Sequence, residues 1–185
     1  MSMAYRNKVL INSLTGQDIR FLKTAKDTAG KYLEMETTYN SYSAEPPLHY
    51  HPGQSEEFNV LSGQLTIKLN GGIHVLHAGD AICIHLDERH AMWNASAEKT
   101  IVRWKVTPAM NTENFLETLN GLIKDGKTNE KGVPGILQVS LAANKFSSVF
   151  RLARPPFFIQ KIVFSILSPI ARLLGLRAVY KKYID

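Results

Sequence analysis

PPLHYHPGQSEEFNVLSG, residues 46–63, places His49 and His51 two positions apart, so that on a strand both imidazoles leave the same face. Pro52-Gly53 then turns the chain, and Glu56 begins a second strand that can return beside them, with Phe58 and Val60 sharing its face. Glu57, the neighbouring acid, falls on the opposite face by the same alternation. A later stretch, GDAICIHLDERHAMWN (79–94), opens a strand at Gly79-Asp80 and delivers His90 after the loop at its far end. Three imidazoles and one carboxylate drawn from separate strands form a donor set for one divalent transition metal (Fe, Mn, Ni, Co, Cu or Zn), with positions left for water or substrate. The predicted metal ligands are therefore His49, His51, Glu56 and His90.

Outward from these stretches the chain keeps a β grammar. Candidate strands are Tyr32–Tyr42, Glu57–Leu61, Gln64–Leu69, Ile73–Leu76, Ala81–His85 and Thr100–Val106, separated by Pro52-Gly53, Ser62-Gly63, Asn70-Gly71-Gly72 and Ala78-Gly79-Asp80. Asn-Gly between two such runs is a hairpin signal, because both central residues of a type I′ turn need positive φ. Many short strands with regular turns indicate a sandwich or barrel. After Pro108 the pattern changes. Asn111 or Thr112 can cap a helix with Phe115, Leu116, Leu119, Leu122 and Ile123 at helical spacing and Gly126 as its stop. A polar linker at 127–135 leads to two further helical segments, Ile136–Leu152 and Phe158–Leu174, divided by Pro155-Pro156. The expected organisation is an N-terminal arm (1–30), a β-barrel (31–108) and a helical extension (109–185).

The two histidine stretches resemble the paired motifs of the cupin superfamily. His49, His51, Glu56 and Gly63 match the first motif, and Gly79, His90 and Asn94 match the second at full spacing. The arm TGQDIRFLKTAKDTAGKYLEME (15–36) and the segment through VTPAM (106–110) are similar to single-domain bacterial cupins of undefined activity. Two positions depart from the pattern: Ser43 stands where a glycine usually precedes the first motif, and His85-Leu86-Asp87 stands for Pro-x-Gly. The resemblance implies a mainly β fold, a cupin (double-stranded β-helix, or jelly-roll) barrel with a C-terminal α-helical extension. It also implies a metal on the equivalents of His49, His51, Glu56 and His90, and it makes dioxygenase-type oxidoreductase chemistry on a small molecule the leading expectation. The alternatives are a non-catalytic small-molecule or metal-binding module and a metal-dependent isomerase. Cupins often pair through their sheets, so a homodimer is expected. Phe58, Met92 and Trp104 are candidates to line the substrate pocket, against the plainer reading of core packing. Cys83 reads as core filler, and His85 as a solvated loop histidine.

Charge is unevenly placed. Eight of the 22 basic residues lie from Lys145 onward against a single acid, Asp185, so that segment carries +7 and the first 144 residues −1. No recognition motif accompanies these basic residues, which argues against nucleic acid as a partner. Phe157–Ala171 is apolar but interrupted by Lys161 and by Pro169, expected to bend or end the helix, and is a poor membrane span. The favoured expectation is packing on the barrel or on a second copy, burying Phe157, Phe158, Ile162, Phe164, Ile166 and Leu167; the alternative is peripheral contact with an anionic membrane through the basic helices. One cysteine excludes an internal disulfide framework, and MSMAYRNKVLINSLTG lacks the apolar run of a signal peptide, so the expected location is cytoplasmic, with membrane association as the variant.

Overall fold

The computed structural model describes residues 4–184. Ten strands come first: β1 (Val9–Leu10), β2 (Gln17–Lys23), β3 (Leu33–Tyr39), β4 (His49–Tyr50), β5 (Ser55–Ser62), β6 (Gln64–Leu69), β7 (Gly72–His77), β8 (Ala81–Ile84), β9 (His90–Trp93) and β10 (Thr100–Thr107). They are followed by α1 (Thr112–Lys124), α2 (Ile136–Lys145), the short strand β11 (Arg151–Leu152), α3 (Phe157–Leu173) and a 3-10 turn at Lys181–Tyr183. The strands form two antiparallel sheets, ordered β1-β2-β3-β10-β5-β8 and β11-β4-β9-β6-β7. This is the jelly-roll barrel with C-terminal helices that the sequence leads one to expect.

Alternation builds the core. β3 turns Leu33, Met35, Thr37 and Tyr39 inward, and β10, paired beside it, turns Thr100, Val102, Trp104 and Val106 inward. Phe58, Val60, Leu65, Ile67 and Met92 fill the same space from the remaining strands. The β6–β7 hairpin closes through Asn70 and Gly71 at φ 50° and 87°, as a type I′ turn requires. β2 lies within the expected N-terminal arm and joins the sheet against β3, with Ile19 and Phe21 buried. Cys83 corrects an expectation: it is exposed, because β8 is the last strand of its sheet.

The C-terminal region departs from the reading in the extent of α2 and in which face of α3 is buried. The segment expected as one helix from Ile136 to Leu152 stops at Lys145, and Arg151 and Leu152 pair instead with Tyr50 and His49. Pro169 does not end α3, which runs on to Leu173. Of the six residues expected to be buried, Phe164 is, but Phe158, Ile162 and Ile166 are 65%, 60% and 63% exposed. The buried stripe of α3 is Gln160, Phe164, Ser168 and Ala171. It meets α2 through polar contacts: Asn144 Nδ2 donates to Ser168 Oγ at 2.7 Å, and Ser168 Oγ donates to Ser140 O at 3.2 Å. Hydrogen-bonding complementarity, rather than apolarity, chose which face turned inward.

Gly63 makes the crossing from one sheet to the other between β5 and β6. Its φ is +75°, and a Cβ there would lie 2.5 Å from the backbone oxygen of Lys99, which cannot swing aside. Gly63→Ala is expected to cost about 2–4 kcal/mol, adding left-handed backbone strain to a backbone clash. The measurement is a urea unfolding midpoint at unchanged slope; a loss under about 0.5 kcal/mol would show that the crossing relaxes freely.

Candidate metal centre

β4 and β9 place His49 directly opposite His90, a cross-strand pair with ring centroids 4.5 Å apart. His51 follows at the end of β4 and faces the same interior, and the reactive nitrogens of the three rings lie within 4.8 Å of one another, an arrangement that can hold a metal ion. Glu56 arrives from the other sheet, on β5 between β10 and β8. Its Oε2 lies 3.0 Å from His90 Nε2 and 3.2 Å from His51 Nε2, and its Oε1 accepts from Trp104 Nε1 at 3.2 Å. Glu57 points outward and pairs with Lys105, as alternation requires.

Each imidazole is oriented from behind. His49 Nδ1 meets Pro47 O at 2.8 Å, His90 Nδ1 meets Glu88 O at 2.9 Å, and His51 Nδ1 meets Val149 O. A carbonyl oxygen can only accept, so each Nδ1 carries a hydrogen and each Nε2 faces the centre; His90 Nε2 donates there to Glu56 Oε2 at 3.0 Å, a proton that a bound metal would displace. This is how histidines that bind metal are held. The donor set passes a further test: His51 Nε2 is buried without a hydrogen-bond partner, its approach to Glu56 being off the line of a hydrogen bond. A metal ion between this nitrogen and the carboxylate would satisfy both, taking the place of the proton that Glu56 otherwise favours on the ring.

Burial and charge act together on the titration of the group. Burial, then the neighbouring His90 and His51, pushes His49 down to about 3, although the ring keeps some edge exposure. For Glu56 burial is the largest single effect and opposes ionisation, but His51 and His90 together outweigh it and hold the carboxyl below its usual range. For His51 burial again opposes the charge, and Glu56 with the Val149 carbonyl raises its pKa above the ordinary value.

The loop before His90 shows how the departures from the motif are accommodated. Asp87 takes φ 63° where the pattern has glycine, and its N–H donates to His51 O at 3.1 Å. Glu88 Oε2 accepts from His85 N at 2.7 Å, closing the turn. Ser43, in the other glycine position, accepts from Asn94 N through Oγ at 2.9 Å. Among the pocket candidates, Met92 borders a cavity, whereas Phe58 and Trp104 stack on each other in the core, 5.6 Å apart. His74, His77 and His85 are exposed and away from the centre. Sequence reasoning missed Val149 and Phe150. Phe150 stacks on His49 at 4.7 Å between centroids, and it belongs to the segment expected to be helical. Val149 acts through its backbone, which leaves no trace in residue type.

The pKa directions predict the pH profile of metal-stripped protein. His51, raised in the fold, contributes stability that is complete below about 6.5 and lost as pH rises through its folded value. His49 and Glu56, depressed in the fold, contribute stability present above about 6.5 and about 4.3 respectively, lost as pH falls towards their folded values. The melting temperature should therefore peak near about pH 6.5, and His51→Asn should remove the alkaline limb. Thermal melts after chelation decide it; a melting temperature still climbing at about pH 8 would contradict this assignment of charges.

Comparison with known proteins agrees with the geometry. Residues 37–105 match the family model described as the cupin domain. Over 56 residues the chain is 38% identical to a protein of Arthrobotrys oligospora named an oxidoreductase, a match covering 30% of this chain and only 22% of the relative. Similar solved structures include an RmlC-like cupin from Shewanella frigidimarina (17% identity, 57% of this chain and 87% of that chain, TM-score 0.48). Another is a conserved double-stranded β-helix protein from Klebsiella pneumoniae (20% identity, 54% and 84%, TM-score 0.47). A third is KdgF from Halomonas sp. (14% identity, 55% and 86%, TM-score 0.46). The cupin match thus falls on the barrel strands, and the two sheets and the motif spacing agree with it.

Proposed function

We propose that this chain is a metal-dependent oxidoreductase of the dioxygenase type, with His49, His51, His90 and Glu56 as the ligands of one divalent ion. The observation that carries the reading is the three Nδ1–carbonyl contacts, which commit all three rings to present Nε2 inward. An ion held there would supply a Lewis acid and, if redox-active, the means to bring dioxygen and an electron-rich substrate together. Trp104 fixes the Glu56 carboxylate from behind, and Phe150 covers His49 from the helical side, keeping bulk water off the rings. The name of the Arthrobotrys oligospora relative supports oxidoreductase chemistry, through a match confined to a small part of that protein.

The substrate class follows from the neighbouring cavity. It holds about 170 Å³, lies between the barrel mouth and the helices, and is walled by Met92, Phe115, Leu119, Leu122, Phe146 and Phe150. That space suits a fragment the size of a benzene ring. None of the four ligands lines this cavity; Phe150 forms part of its wall and stacks on His49, so a molecule seated there reaches the ligand set once the Phe150 ring turns aside. Tyr39 and Lys131 are the ionisable residues of the lining, so a base independent of the ligands, as carbonyl isomerisation needs, is not supplied there by a histidine or carboxylate. The same fact favours the second reading, a cupin that binds a small molecule without turning it over.

Purified without chelators, the protein should contain about one transition-metal ion per chain by elemental mass spectrometry, and His90→Ala should lower that content by about tenfold or more. Oxygen uptake against a panel of enediols and catechols should be fastest for those bearing a small apolar ring or substituent. Leu119→Trp, which fills the cavity, should raise KM by about tenfold while leaving metal content unchanged. Stoichiometric metal with no uptake on any substrate would put the binding module ahead; protein without metal would end the oxidoreductase reading.

A further inference from the structure

α3 is inside out. Its buried stripe is Gln160, Phe164, Ser168 and Ala171, while Phe158, Ile159, Ile162, Val163, Ile166, Ile170 and Leu173, with Leu174 just beyond, are exposed, Leu173 by 88%. On a helical wheel these exposed apolar side chains fall within an arc of about 160°, directly opposite the buried stripe. A face of this size is not left in water without a partner. The partner's chemistry is set by charge: between Lys131 and Ile184 there are nine basic residues and no acid. Lys161 and Arg172 sit at the border between the buried and the apolar arcs, where long side chains can lay their stems on the apolar surface and lift their charges. Arg154 precedes the helix, and Arg177 and Lys181 follow it, all exposed.

We propose that α3 lies in the plane of an anionic lipid surface, its apolar face among the acyl chains and its basic residues over the headgroups. A second copy of this chain on the same face would bring two such sets of like charge together, with no acid between residues 131 and 184 to answer them. Spanning is ruled out for this segment, since among the described residues no helix is long and apolar enough to cross a membrane. The contact of Asn144 with Ser168 that docks α3 on α2, and Gln160 Nε2 donating to Leu152 O at 2.8 Å and Pro155 O at 2.6 Å in the segment before the helix, hold the apolar face outward. Gly175, at φ +79°, follows the end of the helix. The proposal rests on this helix alone and stands apart from the metal reading.

The test is flotation of the full chain with vesicles of phosphatidylcholine alone or mixed equally with phosphatidylglycerol. Binding should be at least about tenfold tighter to the mixed vesicles and should weaken as salt is raised. Ile162→Glu/Ile166→Glu, at exposed positions that should leave melting temperature and metal content unchanged, should abolish flotation. Lys161→Ser/Arg172→Ser/Arg177→Ser should weaken it by about tenfold or more, with neutral vesicles unaffected. Failure to float with anionic vesicles overturns the proposal, as does flotation undiminished in the glutamate variant. Light scattering that shows a dimer dispersed by the same glutamates, without vesicle binding, would give the face to a second copy instead.

Discussion

A carboxylate held between two sheets is the constraint on which this molecule depends. Glu56 is 2% exposed, and a buried charge of that kind is tolerated only when it is answered. His51 and His90 answer it from the facing sheet and Trp104 from its own, so one side chain ties the two halves of the barrel at a fixed separation. The hydrocarbon core around Met35, Val60 and Val102 supplies most of the folding free energy, but it is non-directional and sets no particular distance. The polar cluster sets that distance.

The helices complete the centre rather than decorate it. Gln54, immediately before β5, donates to Pro108 O, Ala109 O and Thr112 Oγ1, and so locks the end of the barrel to the beginning of α1. The chain then passes through α2 and returns to the barrel edge, where β11 pairs with the strand carrying His49. Tyr183 folds back across Gly121 of α1, where a Cβ would lie 2.2 Å from its ring, and donates to Asp125 at 2.6 Å. A glycine that weakens a helix by about 1 kcal/mol is thus explained by the ring it admits.

How much of this was legible in the sequence depends on which physics governed each segment. The four candidate ligands could be read because period-two alternation and motif spacing both constrain them, and because a strand at the centre of a sheet keeps its faces distinct. Cys83 could not be read that way, since the outermost strand has solvent near both faces. The break after Lys145 was invisible because apolar periodicity continues to Leu152, whereas the chain there follows tertiary partners: the His51 ring, the His49 ring and a strand edge. α3 was misread for a more general reason. Apolar residues at helical spacing are ordinarily the buried ones, but here Gln160 and Ser168 found complementary donors and acceptors on neighbouring segments, and the stripe that looked like core was left outside. Asp87 shows the converse, a residue outside the usual pattern taking the backbone conformation that the pattern encodes.

The short return strand β11 has a consequence for any attempt to reduce the molecule to its barrel. Such a fragment would retain every inward-pointing donor, and by inspection of the motifs it would pass for complete. It would lack the carbonyl of Val149 and the ring of Phe150, so His51 could flip about its χ2 axis and exchange which nitrogen faces inward, while His49 would be bathed on one side. Matching the motif and holding three histidine rings in place are separable properties in this chain, and the second rests partly on Val149 and Phe150, far along the chain from those rings.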